Sequence, residues 1–192
     1  MRTVKEPDVR KQEILDGAIR VFARRGYDKT TIATLARELN ISQGLCYRYF
    51  SSKEDIYRAA IEKYADLICA EYLRGRKKAH TIRDWLDSAG ESIGRLTAAE
   101  AGDEDLYALF HGENSRQMHN ELLLQVAAGI LPHIQRVLRA AKEDGEILVD
   151  DPERMAVVGL YGELGLFFVD GISEADRAKS IREGWNRLLG LE

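Results

Sequence analysis

The feature that most constrains this chain is a pair of short helical stretches joined by a tight turn within residues 30–50. Apolar residues recur at helical spacing over residues 30–39, which predicts a helix with one buried face. Asn40 follows where the chain must turn, and asparagine tolerates a positive φ better than any residue except glycine. Ser42 can then cap a short helix over about residues 43–49. The segment is therefore predicted to fold as helix, turn, helix.

The second of these helices is predicted to present a polar face to solvent. Cys46 and Phe50 are four residues apart and can face the neighbouring helices. The residues that then point outward are Gln43, Gly44, Tyr47 and Arg48. A glycine inside a helix costs roughly 1 kcal/mol relative to alanine. Close approach of the backbone to a ligand can offset this cost, and tight packing between helices is the alternative explanation.

The rest of the chain is also predicted to be helical, because apolar residues recur at helical spacing and strand-like alternation is scarce. Capping residues and apolar stripes predict a first helix over about residues 8–25, a fourth from near Ser52 to about Arg74, and a fifth that is capped by Thr81 with Asp84 and continues to Leu96. An acidic loop over 98–105 and a short helix with Leu106, Leu109 and Phe110 are predicted to follow. The last three predicted helices are a long one over 116–142, an apolar one after Pro152 and one capped by Ser173 with Asp176.

The last two helices are more apolar than one small core requires. Residues 155–169 are apolar nearly all round, with glycines at every third position from 159 to 165. A helix of this kind must be buried on most sides, so we expect the two helices to pair with the same helices of a second copy. The residues predicted at this dimer interface are Gly159, Gly162, Leu166, Ile181, Trp185 and Leu188. The alternative is that both helices pack inside one chain.

Charge and cysteine content narrow the possible classes of protein. The formal net charge is −4, but residues 1–58 carry a net +4 and the remainder −8. A basic N-terminal region suggests a polyanionic partner, although chance clustering on a solvated surface is the alternative. The two cysteines form neither a disulfide framework nor a metal-ligand cluster, so we expect a reducing, cytoplasmic location. The N-terminus has no signal-peptide pattern, and no apolar stretch is long enough to cross a bilayer.

The N-terminal region resembles the TetR/AcrR family of transcriptional regulators. The resemblance lies in TTIATLARELNIS followed by SQGLCYRYFSSKEDIY, together with the upstream ILDGAIRVFARRGYDKTT. It covers about residues 10–58, and the rest of the chain is similar to the family in layout only. Two departures are Asn40, where glycine is common, and Cys46, where a larger aliphatic residue is usual.

This resemblance implies a fold, a function and several residue roles. The implied fold has about nine helices: a DNA-binding domain over residues 1–52 with three of them, and an effector-binding and dimerisation domain over residues 53–192. The implied function is a homodimer that binds a palindromic DNA operator through the 42–50 helix, is most often a repressor, and is released by a small molecule. Family positions that bind phosphates correspond to Thr31, Ser42, Tyr47, Tyr49 and Lys53. Core packing is the alternative role for the two tyrosines.

The exposed side chains of the recognition helix suit contacts with bases. Gln43 can hydrogen-bond adenine, Leu45 can contact a thymine methyl group, and Arg48 can reach a guanine or a phosphate. The implied effector pocket is not specified by any motif. Its candidates are large or polar residues on otherwise apolar faces: Trp85, Phe110, His111, Met118, Gln125 and Glu163. For each of these, an ordinary core or surface role is the alternative.

An enzyme and a purely protein-binding helical dimer are the two rival interpretations. The four histidines lack the i, i+4 pairing of a helical metal site, so no metal or other cofactor is expected. No glycine-rich phosphate loop follows a strand, and neither cysteine has an obvious base nearby in sequence. These observations argue against an enzyme. The sequence alone names neither the effector nor the operator.

Overall fold

The computed structural model describes residues 6–76, 80–88, 104–111, 116–169 and 171–191. Within these ranges the chain forms nine helices and no strand, which confirms the predicted all-α class. The helices are α1 (Pro7–Arg25), α2 (Ile32–Glu38), α3 (Gln43–Tyr49), α4 (Lys53–Arg76), α5 (residues 82–88), α6 (Glu104–His111), α7 (Arg116–Glu143), α8 (Pro152–Gly165) and α9 (Glu174–Leu189).

Side-chain caps fix several of these boundaries, including the predicted cap of α9. Thr31 Oγ1 accepts a hydrogen bond from the Thr34 N–H at 3.1 Å, and Asp151 caps α8 with Pro152 in its first turn. The Ser173 hydroxyl oxygen accepts from the Asp176 N–H at 3.1 Å. The predicted extension of α5 to Leu96 and the predicted loop over 98–105 fall mostly outside the described residues.

The chain divides into two compact units. The first comprises Met1–Tyr64 and Glu100–Leu122, and the second Ala65–Ala99 and Leu123–Glu192. The sequence prediction instead separated the two functional domains between residues 52 and 53, and that functional division stays a prediction.

The core of the first unit forms around α1. Its buried face includes Ala18 and Phe22, and α2 adds Leu35, which has no exposed surface. Cys46 of α3 and Phe50 at its end are also buried. Because α3 has only seven residues, its stability depends on this packing rather than on its own hydrogen bonds. Packing of α1 against α2 and of α2 against α3 thus holds α3 in one orientation.

The second unit contains a close contact between α8 and α9. The Trp185 ring lies directly over Gly159, where an added Cβ would be 2.2 Å from its nearest atom. Trp185 also packs edge-on against Trp85, with ring centroids 5.8 Å apart, and donates its Nε1–H to Glu163 at 3.2 Å. Gly159 therefore makes room for a side chain of its own chain.

Three further observations concern membrane spans, metal sites and reactive cysteines. None of the helices in the described part of the chain has the length and apolarity that a bilayer span requires. The described residues also include no cluster of three or more potential metal ligands. Burial raises the pKa of Cys46, and burial with the nearby Asp66 raises the pKa of Cys69 to about 11. Cys69 therefore stays a neutral thiol at pH 7, the form that is a poor nucleophile.

The α8–α9 contact gives a stability prediction with an internal control. Gly159→Ala places a methyl group into the rigid Trp185 ring, so we expect the free energy of unfolding to fall by roughly 1–3 kcal/mol. Gly162 lies in the same helix, but an added Cβ there has no neighbour within 4 Å. Gly162→Ala should therefore be neutral or stabilising by up to about 1 kcal/mol. Urea unfolding of both variants checks this, and equal effects would contradict the proposed contact.

Candidate nucleic-acid interface

The turn between α2 and α3 sets the direction of the second helix. Asn40 has φ = 53°, the left-handed conformation predicted from its position. The Ile41 N–H donates to the Ala36 carbonyl at 2.9 Å, which closes the turn. The Ser42 hydroxyl oxygen then accepts from the Leu45 N–H at 3.2 Å and caps α3. The chain is thus bonded on both sides of the corner, so α3 leaves it in a defined direction.

The outward face of α3 is accessible along its length. Cys46 points into the core, whereas Gln43, Gly44 and Arg48 are exposed. Tyr47 keeps 54% of its surface exposed, so core packing does not account for this residue. Leu45 and Tyr49 are half-buried, and the Arg48 guanidinium carbon lies 5.9 Å from the centroid of the Tyr49 ring.

Gly44 has no packing partner within the described chain. A Cβ added at this position would meet no atom within 4 Å beyond its local backbone. Tight helix packing, one of the two explanations for this glycine, is therefore not observed. The other explanation, close approach of an external molecule to the backbone, stays a prediction.

Two of the hydroxyl groups predicted to contact phosphates cap helices, and Thr31 Oγ1 also lies 3.1 Å from Thr34 Oγ1. Thr31 and Ser42 are exposed, and the oxygen of each accepts a hydrogen bond from a backbone N–H that caps its helix. A hydroxyl has one proton to donate as well as two lone pairs. The Ser42 cap uses a lone pair only, so its proton is available to a phosphate oxygen.

Lys53, at the start of α4, lies in an arrangement that sequence reasoning missed. Its Nζ donates to the Tyr27 carbonyl at 3.1 Å and lies 4.0 Å from the centroid of the Tyr27 ring. The Tyr27 hydroxyl donates to Glu54 at 3.4 Å. An ammonium group has three donors, so Lys53 retains capacity for a phosphate while Tyr27 restricts its position. These partners lie 26 and 27 residues apart, so only the fold reveals the contact.

A cavity of about 730 Å³ also lies in the first unit, beside the turn after α1. Its lining includes the aromatic residues Phe22, Tyr27 and Tyr57 and the single glutamate Glu121. The Tyr57 hydroxyl donates to Glu121 Oε2 at 2.9 Å, which joins α4 to the first part of α7. Burial, followed by this hydrogen bond, raises the pKa of Tyr57, so the hydroxyl stays protonated.

The six candidates for the effector pocket are distributed over both units. Met118 lines the cavity, and Phe110 is fully buried in the first unit against Tyr64, with ring centroids 5.2 Å apart. In the second unit Trp85 is buried and Glu163 accepts the hydrogen bond from Trp185. Gln125 is exposed, and the side chain of His111 lies outside the described residues.

The predicted dimer interface stays a prediction, but the predicted residues differ in how exposed they are within the chain. Ile181 and Trp185 are each only 3% exposed, because α9 packs against α8 of its own chain. Gly159 is covered by Trp185, so these three residues belong to the core of the second unit. Gly162 is exposed, and Leu166 and Leu188 are half-buried. The exposed large apolar residues in this region are instead Val157, Val158, Tyr161, Phe168 and Val169.

The fold and the exposed α3 face define a helix-turn-helix protein. Residues 14–60 match the family described as bacterial regulatory proteins, tetR family. This match assigns residues 14–60 to that family, in agreement with the sequence resemblance of the N-terminal region.

Relatives and a solved structure agree with this assignment. The HTH-type transcriptional regulator YfiR of Bacillus subtilis is 33% identical over 124 residues, covering 60% of this chain and 58% of YfiR. The biofilm operon icaADBC HTH-type negative transcriptional regulator IcaR of Staphylococcus epidermidis is 32% identical over 72 residues, covering 38% of this chain and 39% of IcaR. The chain thus spans less than two thirds of either relative. A SmeT–triclosan complex shares the fold, with a TM-score of 0.61, 20% identity, and coverage of 95% of this chain and 91% of SmeT.

Because the space around Gly44 is open, a substitution there can distinguish a structural role of this glycine from a role in DNA binding. Gly44→Ala should raise the free energy of unfolding by about 0.5–1 kcal/mol, since alanine favours the helix. If DNA approaches the backbone here, the same methyl group should weaken DNA affinity by about tenfold or more, or 1.4 kcal/mol. Gly184→Ala on α9, also without neighbours within 4 Å, is the matched control and should leave DNA affinity unchanged. Unchanged affinity of Gly44→Ala in a gel shift would reject the close approach.

Proposed function

We propose that this protein is a homodimeric transcriptional regulator, most often acting as a repressor, that binds a palindromic DNA operator through α3. One observation carries the proposal: a short helix is held by its buried side while its other side leaves Gln43, Gly44, Tyr47 and Arg48 exposed. An α-helix fits the major groove of B-DNA, where each base pair presents a distinct pattern of donors and acceptors. The description of IcaR as a negative regulator supports repression.

The proposal assigns two classes of contact with DNA, to bases and to phosphates. Gln43 reads adenine, Leu45 contacts a thymine methyl group, and Arg48 binds a guanine or a phosphate. The phosphate contacts come from Thr31, Ser42, Tyr47, Tyr49 and Lys53, whose hydroxyl and ammonium groups suit that task. DNA is the site of action, so the protein is expected to work in the cytoplasm. The family match also supports the interpretation that the chain is not an enzyme.

The dimer is proposed to form through the outer face of α8. Val157, Val158 and Tyr161 are exposed there, at a spacing that places them on neighbouring positions of one helix. Phe168 and Val169 extend the apolar surface beyond the end of α8. Paired recognition helices must lie about 34–36 Å apart to reach successive major grooves on one face of the duplex. The dimer thus determines which spacing of half-sites can be bound.

An unidentified small-molecule effector is proposed to release the protein from DNA. The effector lowers DNA affinity if it binds a conformation with another spacing of the recognition helices more tightly than it binds the conformation that fits DNA. The size of the decrease is set by this difference in effector affinity, whichever site the effector occupies. The SmeT–triclosan complex shows that a protein of this fold holds a small molecule, which supports this part of the proposal.

Gel shifts at increasing salt concentration test the DNA-binding proposal. Contacts with phosphates release condensed counterions, so the logarithm of affinity should fall linearly with the logarithm of salt concentration. Lys53→Gln should make this slope shallower by about one. Glu62→Gln on the exposed surface of α4 should leave the slope unchanged. A protein that only binds other proteins would give no shift at low salt, and that result would reject the proposal.

The proposed dimer surface is tested by one charge inserted at α8. Val158→Glu should convert dimers to monomers, since an interface would have to bury an unpaired carboxylate. Val9→Glu is the matched control, because Val9 is 52% exposed on α1 and Val158 is 55% exposed. Light scattering on a size-exclusion column measures the mass of each. A Val158→Glu variant that stays dimeric would place the interface elsewhere.

A further inference from the structure

The cavity beside the turn after α1 has apolar, aromatic and charged residues in its lining, among them three cationic and two acidic residues. Its volume of about 730 Å³ is within the range of small-molecule sites. Leu109 and Met118 give it an apolar part, while Tyr57 and Glu121 give it an aromatic and acidic part. All of its lining residues belong to the first unit, and none belongs to the exposed face of α3.

The carboxylate of Glu121 is hydrogen-bonded only to neutral groups among the contacts of the described residues. Its Oε2 accepts from the Tyr57 hydroxyl at 2.9 Å, and its Oε1 accepts from the Gln117 amide at 3.1 Å. These hydrogen bonds hold the carboxylate in place without neutralising its charge. A half-buried negative charge of this kind is stabilised by a cation that comes close to it.

The aromatic wall beside Glu121 is also favourable for a cation. The Tyr27 and Tyr57 rings lie 4.8 Å apart, and the Tyr27 ring already holds the Lys53 ammonium 4.0 Å from its centroid. Burial raises the pKa of Tyr27, and so do the nearby carboxylates of Glu54, Asp28 and Glu121. The Tyr27 ring thus lies between the Lys53 ammonium and these carboxylates, while the Tyr57 ring lies beside Glu121.

Two of the three cationic residues that line the cavity form ion pairs with Glu38. Arg25 Nη2 lies 2.6 Å from a Glu38 carboxylate oxygen, and Arg24 Nη2 lies 3.7 Å from the other oxygen. Lys29 and Asp28 also line the cavity. An anionic ligand would have to compete with Glu38 for the arginines and would lie in the same cavity as Glu121.

We propose that this cavity binds an organic cation, such as an amine or quaternary ammonium compound with an apolar group. The positive charge lies beside Glu121 and the Tyr57 ring, combining a carboxylate contact with a cation–π contact. The apolar group lies against Leu109 and Met118. The Tyr57 hydroxyl and the Gln117 amide keep the carboxylate oriented toward the ligand.

Titration calorimetry with benzyltriethylammonium tests the proposal, with 4-phenylbutyrate as an anion of comparable apolar size. We expect the cation to bind at one site per chain and the anion to bind at least about tenfold more weakly. Glu121→Gln should weaken cation binding by about tenfold, a change of 1.4 kcal/mol. Glu62→Gln removes the same charge from an exposed site away from the cavity and should have no effect.

A second variant tests the same proposal if Glu121→Gln does not fold. Ala108 lines the cavity but is exposed on α6, so Ala108→Lys can be accommodated and adds a positive charge. It should weaken cation binding by a similar factor. No saturable binding of the cation, equal binding of the anion, or wild-type affinity in the variant that folds would overturn the proposal.

The binding step is measured without DNA, so it does not depend on the proposed regulatory function. Its consequence for DNA does rest on that function. Tyr27 joins the cavity wall to Lys53, so a bound cation is expected to change DNA affinity in a parallel gel shift. Calorimetric binding without any DNA shift would reject this coupling and leave the ligand site intact. A DNA shift without calorimetric binding would overturn the ligand site and leave the regulator proposal intact.

Discussion

The position of the recognition helix α3 depends on two buried side chains, Cys46 within the helix and Phe50 at its end. A helix of seven residues is not stable alone, because too few hydrogen bonds repay the ordering of its backbone. These two side chains anchor one side of α3 in the core of the first unit, and Asn40 directs the chain into it. The opposite side is exposed as a result. The same contacts that stabilise α3 thus present its polar residues in a fixed geometry.

Local chemistry made this region predictable from sequence. The bounds of α3, Gln43–Tyr49, agree with the prediction because a cap, a turn residue and the spacing of two buried residues all lie within a few positions. The positive φ of Asn40 and the capping roles of Ser42 and Ser173 follow from the same kind of local signal.

Long-range contacts were not predictable in the same way. An apolar sequence indicates that a helix must be buried, but it does not indicate which other helix packs against it. Trp185 was therefore assigned to a dimer interface, although it packs on Gly159 of its own chain. The Tyr57–Glu121 hydrogen bond spans 64 positions, and no sequence pattern points to it. Among the predicted pocket residues whose side chains the structure describes, Met118 alone lines the cavity that these residues form.

The central claim is that two copies of α3 enter successive major grooves of one operator. Selection of bound sequences from a random DNA library, followed by hydroxyl-radical footprinting, tests it most directly. The account predicts an inverted repeat with two protected half-sites whose centres lie about one helical turn, 34–36 Å, or a multiple of it apart on one face of the duplex. A single protected site without symmetry, or no selected sequence, would contradict it.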